Sequence, residues 1–171
     1  LYPDQDYGFV LADYDDARHT EIDAWFIDLA ERLSAELDTV GLPYCTGNVM
    51  ATNPLWRKTI SQWKDQVDIW NRRGSGMAAL HFDIFFDFRA SRGAPSLAAQ
   101  LRRHVTEMTK GNEPFLRTIH ASSRDHGTAI RWFGRFATER KAGENKGKID
   151  IKLHGSLPLV EGLRLLALRE G

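Results

Sequence analysis

His81-Phe82-Asp83-Ile84-Phe85-Phe86-Asp87-Phe88-Arg89 is the stretch on which the fold turns. Read with period two, Phe82, Ile84, Phe86 and Phe88 fall on one face, and His81, Asp83, Phe85, Asp87 and Arg89 on the other. Four large apolar residues can bury one side, and the aromatic and β-branched content suits a strand. Two carboxylates and an arginine are an odd load for the other face of a core strand; on an edge strand they would simply meet water. A second stretch bears on the choice. Asp4-Gln5-Asp6 runs directly into Tyr7-Gly8-Phe9-Val10-Leu11-Ala12, and there too the i, i+2 spacing puts both carboxylates on one face. Two such strands would supply a three-acid site for a divalent metal: Asp4, Asp6 and an acid from the Asp83/Asp87 pair.

Outward from these strands the pattern is helical. Ile22, Trp25, Phe26, Leu29, Leu33 and Leu37 recur at helical spacing over residues 20–39, with Thr20 as N-cap and Gly41 as C′ residue. Gly47-Asn48 is a tight-turn pair. Asn53-Pro54 starts a helix that runs to about Arg72, with Trp56, Ile60, Trp63, Val67 and Trp70 on its inner face. Ser91–Pro95 is the best internal boundary. Beyond it come a helix from Ser96 (Leu97, Leu101, Val105 and Met108 inward), another from Pro114, a polar loop over 141–148 and a last helix over 156–169. Pro158 lies in the first turn of that last helix, and Val160, Leu163 and Leu166 face in. Residues 127–140 fit helix or irregular structure equally.

The chain of 171 residues can bury one sizeable core or two small ones. Its 23 basic and 23 acidic side chains balance, which gives no support to bulk binding of nucleic acid or membrane. The balance hides a gradient: residues 1–40 carry 2 basic and 11 acidic groups (2 − 11 = −9), and the remainder 21 and 12 (21 − 12 = +9). The single Cys45 excludes an internal disulfide and suits a reducing cytoplasm. No apolar run reaches the ~20 residues of a membrane span. The chain opens inside a predicted element and without an initiating Met, so a piece of a longer protein is expected.

Asp-x-Asp suits Mg²⁺, which takes hard oxygen ligands and leaves positions open for substrate phosphates. The six histidines show no zinc-ligand spacing, and phosphate-loop, dinucleotide-turn and nucleophile-elbow motifs are absent. The basic set Arg89, Arg131, Arg135, Lys146, Lys148 and Lys152 would hold a triphosphate if it converged on the acids, and is plain surface charge if it does not.

Five co-linear motifs carry a resemblance. They are Asp4-Gln5-Asp6-Tyr7-Gly8, Gly47-Asn48-Val49-Met50-Ala51-Thr52-Asn53-Pro54-Leu55-Trp56, Ile84–Arg89, Trp132-Phe133-Gly134-Arg135-Phe136 and Lys146–Lys152 with Gly155 and Pro158. Together the chain resembles the bacterial nucleotidyltransferase-like family found downstream of cyclic-nucleotide-binding and CBS domains, with its substrate-binding region. These are relatives of the PII-protein uridylyltransferase.

The resemblance implies an α+β fold: part of a polymerase-beta-like nucleotidyltransferase sheet with helices over 1–93, then a mainly helical substrate-binding domain over 94–171. It implies Asp4, Asp6 and Asp87 as catalytic metal ligands, Asp87 being preferred to Asp83 because it stands in an Asp-x-Arg motif. Arg89, Asn48, Arg135, Lys146 and Lys152 are the implied nucleotide and substrate contacts. Two Mg²⁺ would support transfer of a nucleotidyl group from NTP to an acceptor, protein among the candidates, in bacterial signal transduction. The family's Gly-Ser motif and downstream arginine precede the Asp-x-Asp, and this chain starts at Leu1, so the fragment alone is expected to be inactive. The alternative is a regulatory module of the same fold that binds nucleotide or protein and transfers nothing.

Overall fold

A computed structural model describes residues 3–73, 81–82, 84–123, 130, 132–139 and 143–171. The chain is α+β and mostly helical, with a two-stranded parallel sheet as its only ladder among the described residues. No helix there is long and apolar enough to cross a membrane. It divides into two compact units: residues 1–66 with 89–102, and residues 67–88 with 103–171.

In the first unit, β1 (Phe9–Leu11) lies parallel to β2 (Arg57–Thr59), Val10 beside Lys58. Parallel neighbours need a crossover, and α1 (His19–Thr39) supplies it. Asp15 accepts from the Ala17 amide at 2.9 Å and caps the short 3₁₀ turn that leads into α1, so the helix begins one residue before Thr20. It ends as its Gly41 predicts. Gly41 has φ +92°, its amide bonds the Asp38 carbonyl, and the Leu42 amide reaches back to Leu37, the paired bonds of a Schellman motif.

The innermost residues of α1 are Ala30 and Ser34, both at 0% exposure, while Trp25 is 56% exposed. The reason is local: Tyr7 Oη bonds the Ala30 carbonyl (3.0 Å) and Ser34 Oγ (2.7 Å), and Gln5 Nε2 donates to the Ser34 carbonyl (2.9 Å). Only small residues let side chains from the N-terminal segment come that close to the helix backbone.

The helix expected from Asn53 starts later. Asn53 Oδ1 accepts from the Leu55 amide and caps only the 3₁₀ turn Pro54–Trp56; the chain then extends as β2. The α-helix that follows, α2 (Ile60–Arg73), has its own start signal. The Thr59 amide bonds Gln62 Oε1 (3.0 Å) and the Gln62 amide bonds Thr59 Oγ1 (3.2 Å), a capping box. Asp13 adds two bonds, from the Ser61 amide and hydroxyl, which hold its carboxyl below the usual range. Within this unit Trp63 donates to the Phe9 carbonyl at 2.9 Å, tying α2 to β1.

The described residues of 81–89 form no strand, and those at the start of the stretch are helical. Residues 81–82 and 84–86 are helix, Asp87 is a turn, and Asp83 lies outside the described residues. The aromatic run satisfies both periods. Phe82 and Phe85, three apart, are buried at 0% and 6%, while Ile84 is 41% exposed. Trp70 on α2 packs against His81 and Phe85, and Phe82 meets Phe115 edge-to-face at 4.9 Å. These contacts favour the helical turn, and among the described residues of this unit there is no strand ladder for an extended segment to join.

Among the described residues α3 (Pro95–Thr109), α4 (Glu113–Ser123) and α5 (Leu157–Glu170) follow. His104 on α3 pairs with Asp68 on α2 at 2.8 Å, and Asn112 with Asn71 at 2.8 Å. A π turn, Lys152–Ser156, leads into α5. α5 faces the opposite way from its predicted orientation. Val160, Leu163 and Leu166 are exposed, and Glu161 and Leu168 are buried. The face turned inward carries Arg164, which binds Asp87.

Candidate metal centre

The N-terminal segment reaches β1 by running along residues 43–49. The Gln5 amide bonds the Pro43 carbonyl at 3.1 Å and the Tyr7 amide the Val49 carbonyl at 2.9 Å. Gln5 is buried at 3% with its side chain on α1, so the alternate residues Asp4 and Asp6 stay exposed. The next residue of that parity, Gly8, is forced: a Cβ there would lie 2.7 Å from the Trp56 carbonyl oxygen.

Alternation thus delivers two carboxylates to one place, and the 43–49 segment adds a third group. Ligand atoms of Asp4, Asp6 and Cys45 all lie within 4.8 Å of one another. Burial pushes the Cys45 thiol up, and the Asp6 carboxylate adds to the rise, so the sulfur keeps its proton at neutral pH. The donor set is two exposed carboxylates with one half-buried thiol beside them. That fits a hard divalent ion with open positions for water or phosphate oxygens.

Arg57 holds the loop that follows residues 45–49. Its side chain is 3% exposed, forked onto Asp23 at 2.8 and 3.3 Å, with Nη1 on the carbonyls of Ala51 and Thr52. The guanidinium hydrogen bonds hold Asp23 below the usual carboxylate range. Arg57 thereby fixes the turn that follows the Cys45–Val49 segment. Neither Cys45 nor Arg57 was singled out by sequence pattern, since each acts through residues far away in the chain.

Lys58, on β2, is a further cation of the first unit. It is half-buried beside Val10, and burial pulls its pKa below that of an ordinary lysine. Among the described residues it has no hydrogen-bond or ion-pair partner.

The other sequence candidates divide between the units. Asn48, in the left-handed conformation (φ 55°), belongs to the turn carrying Cys45, its amide on the Cys45 carbonyl and its own carbonyl on Asn53 Nδ2. Arg89 is exposed in the first unit. Asp87, Arg135, Lys146 and Lys152 are exposed in the second. There Asp87 is bound by Arg164 of α5. Phe133 (φ 64°) and Gly134 turn the chain tightly just before Arg135, between the bridged residues Ile130 and Phe136. Lys148 bonds Asn145 at 3.3 Å, and Arg131 lies outside the described residues.

Residues 1–77 match the family described as "Putative nucleotidyltransferase DUF294", and residues 113–171 match its "Putative nucleotidyltransferase substrate binding domain". No curated protein and no solved structure matches the chain.

Proposed function

From a chain that belongs to the DUF294 nucleotidyltransferase family and carries that family's substrate-binding domain, we propose that Asp4 and Asp6 form the metal-holding edge of a nucleotidyl-transfer centre. The observation that carries this reading is the convergence of Asp4 and Asp6 within one exposed, three-donor group. The ion is Mg²⁺, by the hardness of the two exposed carboxylates. When bound, such an ion supplies charge neutralisation for triphosphate oxygens and for the departing pyrophosphate.

The chain's own residues do the positioning. Gln5 and Tyr7, bonded into α1, fix the backbone on either side of Asp6. Arg57 holds the Ala51–Thr52 carbonyls and so the loop that seats Cys45 and Asn48. Lys58, which has no ion-pair partner among the described residues, serves as a cationic contact for a phosphate. The nucleotidyl group passes from NTP to an acceptor hydroxyl, and residues 113–171 bind the acceptor. Asp87 is engaged by Arg164, so the proposal rests on Asp4 and Asp6 and does not require a third carboxylate from that position.

Incubation with NTP labelled at the α-phosphate and Mg²⁺, in the protein that contains this chain, tests the reading. Label should move to an acceptor and should cease to move in Asp4→Asn/Asp6→Asn. Undiminished transfer by that variant, or NTP binding that is indifferent to divalent metal, would overturn the assignment.

A further inference from the structure

We propose that Cys45 makes the Asp4–Asp6 centre a binding site for a thiophilic divalent ion of the Zn²⁺ class, held by two carboxylate oxygens and the cysteine sulfur. The donors come from two segments tied to each other on either side of the site. The Gln5 amide bonds the Pro43 carbonyl and the Tyr7 amide bonds the Val49 carbonyl. Asp6 stands between those ties, and its carboxylate is a hydrogen-bond partner of the Cys45 thiol.

The sulfur is fixed from its own side as well. The Asn48 amide closes the turn on the Cys45 carbonyl at 3.0 Å, and the Val49 and Gly47 amides donate toward Sγ. A Cβ added at Gly47 would lie 3.6 Å from that sulfur, so the turn packs directly against it. Ligand atoms of Asp4, Asp6 and Cys45 lie within 4.8 Å of one another, and those around a tetrahedral Zn²⁺ stand about 3.5 Å apart. Rotation of the two exposed carboxylates closes that difference while the half-buried thiol stays in place.

Such a donor set separates ions by softness. Mg²⁺ and Mn²⁺ take the oxygens and gain little from sulfur, whereas a thiophilic ion gains a third ligand. As it binds, a metal–sulfur bond replaces the S–H bond and the proton passes to solvent. Two oxygens, one sulfur and an open fourth position match the ligand count of a three-residue zinc centre. Because the same carboxylates would hold Mg²⁺, the thiophilic ion excludes it and inhibits nucleotidyl transfer. That consequence rests on the transfer reading above; the binding does not.

Cd²⁺, titrated into the whole chain and followed by the ultraviolet sulfur-to-cadmium charge-transfer band, tests this. Cys45 is the chain's single cysteine, so the band has one source. One equivalent of Cd²⁺ should raise the band, and Zn²⁺ should abolish it by competition. Cys45→Ser and Cys45→Ala should each lose the band and about 100-fold of the preference for Cd²⁺ over Mn²⁺, with the near-ultraviolet circular dichroism kept. Asp4→Asn/Asp6→Asn should keep the thiol and still weaken Cd²⁺ binding about 100-fold. A wild type without the band overturns the proposal. So does a band that titrates identically in the acid variant, the mark of a thiol acting alone, and so does a Cd²⁺ preference indifferent to both Cys45 variants. Mn²⁺ binding without the band sinks this proposal and leaves the transfer reading standing. A band weakened in the acid variant, in a protein that transfers no nucleotidyl group, does the reverse.

Discussion

Replacing Asp23 by alanine strikes the pair that links the first unit's stability to its candidate site. Arg57 is 3% and Asp23 30% exposed, and the guanidinium grips both carboxylate oxygens. Removing one member of a buried pair costs about 3–5 kcal/mol, because the other is left as an uncompensated charge. Here the Ala51 and Thr52 carbonyls still solvate Arg57 and Asp23 is partly exposed, so about 3 kcal/mol is expected. Asp23→Asn keeps the shape and one acceptor and should cost about half as much. The two carbonyls belong to the loop that seats Cys45 beside Asp6, so divalent-metal affinity should fall about tenfold as well. Urea unfolding followed by tryptophan fluorescence gives the first quantity and a Mn²⁺ titration of the folded variant the second. A loss below about 1 kcal/mol, the scale of a surface pair, would refute the burial argument. An unchanged metal affinity would refute the link from Arg57 to the acids.

Gly8→Ala should destabilise by about 1–3 kcal/mol, since its methyl meets a backbone carbonyl that cannot step aside; thermal unfolding reads this, and a neutral outcome would deny the close approach. Phe85→Ala should cost about 3–5 kcal/mol and Ile84→Ala under about 1, the order a helix demands; a strand over 81–89 would reverse them. The Asp13 and Asp23 carboxyls both titrate lower in the folded chain than in the unfolded one, so the unfolded chain binds more protons between the two values. Their contribution is therefore complete above pH ~4 and lost as pH falls through the folded values. Asp23→Asn should flatten the acid limb of a stability-versus-pH curve, and an unaltered limb would count against the Arg57 pair as its source.

Much of the helical scaffold is legible in the residues. Ile60, Trp63, Val67 and Trp70 repeat at helical spacing and are buried as a set, and Gly41 stops α1 where a left-handed residue is needed. Two local signals competed at the start of α2. Asn53-Pro54 is the stronger motif and starts only a 3₁₀ turn, while the weaker Thr59-x-x-Gln62 box starts the helix, because residues 57–59 pair with β1. The aromatic run at 82–88 fits both periods, and packing on Trp70 and Phe115 decided between them. For α5 the apolar period was readable but its direction was not: Glu161, Leu168 and Arg164, which pairs with Asp87, lie on the inward side. At the candidate site the Asp4/Asp6 alternation was visible. The approach of Cys45, some forty residues away in sequence, depends on main-chain bonds to Pro43 and Val49 that no pattern announces.

The most direct test is a Mn²⁺ titration followed by electron paramagnetic resonance, comparing the wild-type chain with Asp4→Asn/Asp6→Asn. The wild type should show a site from which Mg²⁺ displaces Mn²⁺ competitively and which the double variant lacks, with folding unchanged because both carboxylates are exposed. Equal Mn²⁺ binding by the two proteins would contradict it, since the metal would then sit elsewhere.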